Sequence, residues 1–160
     1  MKQIVTFLLC ALLLASCAAC PPAAPAPTAA PTAAPTAPQL QTFLVYYGDD
    51  NAEKILCKEA QAPAVNESVL MEHLVSAGVL REDCAVNSLR MEDTRLILDF
   101  NQAFGDLVCS MGTSGEHIII GSTVNTFLKA YGAASLTFTV NGEVLESGHV
   151  IYDFPLEFTP

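Results

Sequence analysis

Hydrophobic residues follow three different patterns along this chain. An apolar run occupies residues 4–15, residues 21–38 contain only proline, alanine and threonine, and from residue 40 onward apolar and polar positions alternate with the periods of strands and helices. The first run is shorter than the roughly 20 residues that span a bilayer as a helix. The patterns therefore predict a signal segment, a stalk and one folded domain.

The first half of the domain is predicted to contain two hairpins and a helix. Strand-forming residues 43–47 end at the turn cluster 48–51, after which residues 54–57 can pair back. A helix follows, with Asn66 as its cap, a buried stripe at i, i+4 and i+7, and a glycine terminator. The stripe and terminator are Leu70, Leu74, Ala77 and Gly78. Residues 86–91 and 95–100 then read as two strands joined by an acidic turn, Glu92-Asp93.

The second half is predicted to be a helix followed by a hairpin. Thr113 and Glu116 have the spacing of a capping box, and Gly132 ends the helix. One face of this helix carries Ile120, Val124, Phe127 and Tyr131. Alternating residues 136–140 lead into Asn141-Gly142, which suits a type I′ turn, and residues 143–145 are expected to return as a strand. The predicted fold is a small single α+β domain in which two helix-then-β-hairpin halves pack together.

The N-terminal segment resembles a bacterial lipoprotein signal peptide. Residues 14–17, Leu-Ala-Ser-Cys, match the lipobox, in which the cysteine sulfur is lipidated and becomes the mature N-terminus. The resemblance implies a signal peptide over residues 1–16 and a lipid on Cys17. The alternative is a plain signal peptide cut at a nearby alanine. Cys17 and Cys20 also form a CxxC pair, but they lack the second pair that a zinc site needs.

Residues 17–39 are predicted to be a stalk that begins at the lipidated cysteine. Frequent proline favours extended polyproline II geometry, which gives residues 21–38 a length of about 50 Å. Such a stalk would hold the domain, residues 40–160, away from the lipid headgroups. The expected location is the cell membrane, lipid-anchored, on its extracytoplasmic face.

The charge of the domain disfavours two classes of ligand. All 17 acidic residues follow residue 40, whereas one of the seven Lys and Arg residues lies in the signal segment, so the domain is more acidic than the formal net charge of −10. Phosphate groups are repelled by such a surface. Nucleic acid and anionic lipid are therefore not expected to bind the domain.

No constellation of residues in the sequence predicts catalysis, a metal site or a cofactor. Ser114 lies in a Gly-Thr-Ser-Gly segment without the spacing of a nucleophile elbow. Asp49, Asn51 and Glu53 have the opening rhythm of a calcium loop, but Lys54 and Ala60 occupy positions where such a loop needs glycine and glutamate. Three histidines, His73, His117 and His149, lack the spacing of metal ligands, and His117 is expected at the edge of the core.

The domain contains an odd number of cysteines, Cys57, Cys84 and Cys109. One disulfide with one free thiol and three free thiols are both compatible with this number. Cys57 continues an apolar run and is therefore expected to be buried in its strand.

Residues 123–149, TVNTFLKAYGAASLTFTVNGEVLESGH, resemble the C-terminal half of the GerMN domain, a family named for a spore-germination and sporulation lipoprotein. Residues 96–100 with Phe104, and residues 43–47, are similar to two other strands of that family, so the resemblance covers about residues 41–158. The chain departs from the family at residues 80–84, where the family often has a Pro-Gly type segment.

This resemblance implies a non-enzymatic, extracytoplasmic module with the architecture of ring-building domains, acting in sporulation or spore germination. Its expected partners are the membrane, through the lipid, and further copies of itself or other envelope proteins. The alternative is a lipoprotein that binds the cell wall or a small solute, in which exposed tyrosines stack on sugars. The tyrosines available for such stacking are Tyr46, Tyr47, Tyr131 and Tyr152.

Replacing Cys17 with alanine tests the lipobox. Because the lipid is attached to the cysteine sulfur, Cys17→Ala should abolish metabolic palmitate labelling and leave uncleaved or released protein. Cys20→Ala is the matched control and should label like the wild type. Persistent labelling of the Cys17→Ala chain through Cys20 would contradict the assignment.

Overall fold

The structure is a computed structural model, and it describes residues 39–160. Cys17, Cys20 and the stalk up to residue 38 lie outside the described residues. Two sheets and three helices form in the order β1, β2, α1, β3, β4, α2, α3, β5. Their bounds are β1 Gln41–Gly48, β2 Ile55–Ala62, α1 Glu67–Ser76, β3 Val86–Glu92, β4 Arg95–Phe100, α2 Gln102–Cys109, α3 Thr113–Tyr131 and β5 Ser135–Val140. The predicted α+β class is confirmed.

The first sheet is the predicted hairpin of β1 and β2. The two strands are antiparallel, with Gln41 opposite Ala62 at one end and Gly48 opposite Ile55 at the turn. Its turn is closed by Asp49, whose backbone N–H donates to the Lys54 carbonyl at 2.9 Å. Helix α3 covers β1, whereas most of β2 stays exposed because α3 makes little contact with it. β1 therefore supplies most of this sheet's core residues, and β2 supplies Ala62 at its end.

Helix α1 begins and ends as predicted. The Asn66 side chain accepts a hydrogen bond from the Val69 N–H at 3.0 Å, which satisfies a donor of the first turn. At the other end Gly78 has φ of 74°, a left-handed conformation that favours glycine. Leu70 and Leu74 are fully buried.

The second sheet has the order β3-β4-β5 and is mixed. Strands β3 and β4 form the predicted hairpin, with a positive φ at Asp93 in its turn. Strands β4 and β5 are parallel, with Arg95 beside Ser135 at one end and Phe100 beside Val140 at the other. A parallel pair needs a long crossover, and α2 and α3 supply it. Helix α2 was not predicted, although Asn101 caps it and Phe104, Leu107 and Val108 recur at helical spacing.

Helix α3 is buried at every position from Ile118 to Leu128. It lies so close to the first sheet that a Cβ at Gly48 would be 2.6 Å from Ile118 Cγ2. Its predicted end at Gly132 is confirmed by a φ of 64°. The predicted capping box is wrong: the N-cap is Gly112, and the Glu116 side chain is turned inward, where it binds residues of the chain's last segment.

An aromatic cluster joins the second sheet to the helices. Phe100 on β4 stacks on Phe104 of α2 with ring centroids 4.0 Å apart, and it meets Phe127 and Phe138 edge-on. Leu96 and Leu98, predicted on the same face as Phe100, are at most 1% exposed. Such aromatic pairs add roughly 0.5–1.5 kcal/mol beyond the area they bury.

The turn after β5 forms as predicted, but the strand expected after it is reduced to one residue pair. Asn141 and Gly142 both have positive φ, and Val140 and Glu143 exchange two backbone hydrogen bonds. The chain then leaves the sheet and returns only at Leu156, which pairs with Leu136. The helix-then-hairpin order thus occurs twice, with a much shorter second hairpin.

Asp99 fixes this turn to the sheet. One carboxylate oxygen accepts from the Thr139 hydroxyl at 2.6 Å and from the Gly142 N–H at 2.7 Å, and the other accepts from Asn87 at 2.9 Å. The hydrogen bond from Thr139, more than those from Asn87 and Gly142, lowers the pKa of Asp99. The carboxylate therefore stays ionised at neutral pH.

Within residues 39–160, none of the helices has the length and apolar character needed to cross a bilayer.

Replacing Gly142 with valine tests the turn. Gly142 has φ of 82°, and a β-branched residue held there should lower the free energy of unfolding by about 1 kcal/mol or more. Chemical denaturation measures the loss. Gly142→Asn is the control and should lose clearly less, because asparagine tolerates positive φ. Equal stability of the valine variant and the wild type would contradict the turn geometry.

Candidate functional site

The most unusual group of polar side chains surrounds Glu116, near the start of α3. Glu116 is 3% exposed, and its Oε1 accepts hydrogen bonds from the Ser147 hydroxyl at 2.6 Å and the Tyr152 hydroxyl at 2.5 Å. Its position near the N-terminal end of α3 favours a negative charge. A buried carboxylate thus connects α3 to residues more than 30 positions away along the chain.

His149 faces the second oxygen of Glu116. Its Nδ1 lies 3.6 Å from Glu116 Oε2, an oxygen that has no hydrogen-bond partner among the described residues. The His149 side chain is 41% exposed. The imidazole therefore lies beside the otherwise unpartnered carboxylate oxygen.

The hydroxyl groups of this cluster are held in structural roles. Burial first, and then the hydrogen bond to Glu116, raise the pKa of Tyr152 well above its ordinary value, so its O–H remains a donor. The Ser147 oxygen also accepts from the backbone N–H groups of His149 and Val150, at 3.2 and 3.1 Å. The cluster therefore attaches residues 147–152 to α3, and the Ser147 hydroxyl is already hydrogen-bonded within its own turn.

Cys109 lies at the edge of the same cluster. Its thiol donates to the Glu146 carbonyl at 3.7 Å. Although the residue is exposed, partial desolvation of the thiol, and then the nearby charges of Asp106 and Glu116, raise its pKa. A raised pKa keeps the thiol protonated and weakens it as a nucleophile. Burial likewise raises the pKa of Cys84.

The three cysteines of the domain all carry free thiols. Cys84 is buried and Cys109 is exposed. The expectation that Cys57 is buried is wrong: it is exposed, because α3 packs on β1 and leaves the middle of β2 uncovered.

The structure keeps the predicted histidines apart. His73 packs edge-on against Phe43, with ring centroids 5.0 Å apart. His117 is exposed and lines a small groove of about 170 Å³, so it lies outside the core edge where it was expected. Within residues 39–160, no group of three His, Cys, Asp or Glu side chains has the geometry of a metal site.

The other residues considered for chemistry occupy local turns. Asp49 accepts from the backbone N–H groups of Glu53 and Lys54 at 2.8 and 3.0 Å, and these bonds lower its pKa, that from Lys54 most. Its carboxylate thus closes the β1–β2 turn. Ser114 is exposed in the first turn of α3.

Two grooves of similar size open on the surface. The first, which we call the α1 groove, has a volume of about 490 Å³ and is formed by α1 and the chain leading into β3. The second, of about 470 Å³, is formed by the β1–β2 turn, the end of α1 and the start of α3. No aromatic side chain among the described residues lines either groove. Tyr46 and Tyr152 are buried and Tyr47 and Tyr131 are half-buried. Of the four tyrosines, only Tyr152 lines a groove, the small one of about 170 Å³, where it lies beside Phe154.

The C-terminal segment, residues 143–159, exposes large apolar side chains. The exposed ones are Val144, Val150, Ile151, Phe154 and Phe158. The segment is held in place at its far end by Asn125, whose side-chain amide pairs with both the N–H and the carbonyl of Thr159. Exposed apolar side chains that lie close together favour a surface that binds another molecule.

Sequence reasoning missed the Glu116 cluster because its members are far apart in the chain. Ser147 and Tyr152 lie 31 and 36 positions from Glu116. One signal was present: the apolar stripe of α3, extended back one turn from Ile120, reaches Glu116. A carboxylate on a buried stripe needs hydrogen-bond donors from elsewhere in the fold.

Comparison with known proteins finds similarity at the level of structure. The chain matches no protein-family model, and no curated protein sequence matches it. One similar structure is that of a candidate lipoprotein of Clostridium perfringens, at 12% identity and a TM-score of 0.44, covering 74% of this chain and 87% of that one. Another contains the tandem GerMN domains of the sporulation protein GerM from Bacillus subtilis, at 18% identity and a TM-score of 0.47, covering 75% of this chain and 46% of that one.

These two structures carry the descriptions that the sequence resemblance predicts, a lipoprotein and a GerMN domain. This chain spans about half the length of the tandem structure, at 46%. With TM-scores of 0.44 and 0.47, neither similarity establishes membership of a family.

Replacing Tyr152 with phenylalanine tests the Glu116 cluster. The change removes one of two hydrogen-bond donors to a buried carboxylate, so it should lower the free energy of unfolding by about 2 kcal/mol. Tyr47→Phe is the matched control and should change stability little, because the Tyr47 hydroxyl has no hydrogen-bond partner among the described residues. Equal effects of the two variants in urea denaturation would contradict this role of Glu116.

Proposed function

We propose that this chain is a lipid-anchored lipoprotein of the extracytoplasmic membrane face, and that residues 40–160 form a non-catalytic, GerMN-like interaction domain. The exposed apolar side chains of the C-terminal segment are the observation that carries the interaction role. The lipobox at residues 14–17 supports the anchor, and the proline-rich residues 21–38 support a stalk.

The C-terminal segment suits a binding surface because it is both apolar and firmly held. Ile151 and Phe154 are 54% and 44% exposed, although their neighbour Tyr152 is buried against Glu116. Phe158 is held by Tyr46, edge-on at 5.5 Å, and by the Lys129 ammonium 4.6 Å above its ring. A preorganised surface loses little conformational entropy when a partner binds.

The role in the cell that we propose is assembly, with further copies or with other envelope proteins, during sporulation or spore germination. This part of the proposal rests on the sequence resemblance of residues 123–149 to the GerMN domain. The groups around Glu116 support a non-catalytic domain, because the serine, tyrosine and cysteine there are all engaged or protonated.

A second candidate function is binding of the cell wall or a small solute, and the α1 groove favours it. Its volume of about 490 Å³ lies within the usual range of ligand pockets. The lack of aromatic side chains in its lining, among the described residues, makes sugar stacking a poor fit.

In-cell crosslinking followed by affinity capture of the tagged full-length chain tests the proposed function. Cells in vegetative growth are compared with cells entering sporulation, for the wild type and for the double variant Ile151→Ser/Phe154→Ser. We expect capture of further copies or of sporulation envelope proteins in the second culture, and about tenfold less capture by the variant.

The control variant is Leu56→Ser/Met91→Ser, which alters side chains of similar exposure, 41% and 42%, on β2 and β3. This control should capture partners like the wild type. Recovery of only the monomer in both cultures would contradict the assembly role and favour a wall- or solute-binding lipoprotein. Capture that is equal in the two cultures would contradict the link to sporulation.

A further inference from the structure

The α1 groove combines an apolar floor with an acidic rim. Met71 and Val75 of α1 and Val86 at the start of β3 supply apolar surface, and the buried Cys84 lies beside them. Burying such surface against a partner stabilises a complex by about 25 cal/mol per Å². The floor therefore favours an apolar side chain over water.

Three carboxylates surround this floor, those of Glu67, Glu72 and Glu82. No lysine or arginine is among the described residues that line the groove. Arg81, adjacent in sequence, instead pairs with Asp83 at 3.1 Å and donates to the Ala103 carbonyl at 3.0 Å. The rim is thus acidic without a compensating charge of its own.

The three rim carboxylates also form no ion pair within residues 39–160. The ion pairs there involve Asp83, Glu92 and Glu116. The second groove differs, since both Asp49 and Arg81 line it. Of these two grooves, only the α1 groove therefore combines an apolar floor with several carboxylates and no arginine or lysine, which favours a cationic partner.

We propose that the α1 groove binds a short amphipathic segment of a partner protein, in which apolar side chains are flanked by lysine or arginine. The apolar side chains would contact Met71, Val75 and Val86, and the cationic groups would reach the rim carboxylates. Lysine and arginine suit this arrangement because their aliphatic stems cover apolar surface while their charged ends stay in water. This inference deepens the proposed interaction function and rests on it.

The charges of the domain argue against two other occupants. A second copy would bring mostly acidic surface, because 17 acidic residues and six of the seven Lys and Arg residues lie in the domain. Arg81, Arg90 and Arg95 are already in ion pairs. An anionic lipid surface would be repelled by the same carboxylates.

A labelled peptide tests the groove directly. The probe is a 12-residue amphipathic peptide of leucine and lysine carrying fluorescein, and fluorescence anisotropy measures its Kd for the full-length chain in micelles of an uncharged detergent. We expect Glu72→Gln/Glu82→Gln to weaken binding about tenfold. The control Glu59→Gln/Glu143→Gln removes the same charge outside the groove and should change Kd less than about twofold.

The apolar floor is tested by a second pair of variants on α1. Val75→Ala should weaken binding of the same peptide about threefold, whereas Val69→Ala, which is also half-buried but does not line the groove, should not. A version of the peptide with its leucines replaced by serine should bind at least about tenfold more weakly to the wild type.

Three outcomes would overturn the inference. They are no binding of the leucine-lysine peptide, equal weakening by the groove and control charge variants, and equal binding of the serine peptide. The last two would show unspecific attraction of cations to an acidic protein. These failures remain distinct from failure of the proposed function, because in-cell capture that depends on Ile151 and Phe154 does not require the α1 groove.

Discussion

Burial of α3 on all its sides is the constraint on which the rest of the structure depends. The polar groups of a helix enclosed in this way are stabilised by partners inside the protein, although the hydroxyls of Ser122 and Thr123 have none among the described residues. Thr126 accepts from the Tyr46 N–H at 3.0 Å, and Asn125 pairs with the backbone of Thr159. Each pairing fixes the register of one neighbour, β1 on one side and the C-terminal segment on another. These hydrogen bonds therefore fix how β1 and the C-terminal segment are positioned against α3.

The exposed apolar surface is a consequence of this arrangement. The C-terminal segment has only single bridges to other strands, and it is attached to α3 at Glu116 and at Asn125. Polar anchors at two places allow the residues between them to present apolar side chains to solvent without being needed in the core. Helix α1 and β3 form a different acidic surface with the α1 groove, so the domain offers two chemically distinct surfaces.

Sequence periodicity predicted the elements whose signals are local. Strand β4, the cap at Asn66 and the helix end at Gly132 depend on residues within a few positions of one another. The prediction failed where contacts between residues distant in the sequence determine the structure. Glu116 binds Ser147 and Tyr152 instead of capping its helix. The residues after Glu143 form only isolated bridges instead of extending a hairpin. Helix α2 was missed because the short run 102–109 directly follows a strand. The candidate surfaces could not be predicted, since exposure depends on the packing of all elements.

The parallel pairing of β4 with β5 and the packing of α3 on β1 both join residues that lie far apart in the sequence. Arg95 meets Ser135 across 40 positions, and the Tyr46 N–H meets Thr126 across 80. Contacts so distant in sequence slow folding, because a long loop must close before they form. Because the chain is synthesised from its N-terminus, the β1–β2 hairpin is made before α3, the helix that packs on it in the core. During synthesis the apolar face of β1 is consequently exposed to water until α3 has formed and covered it.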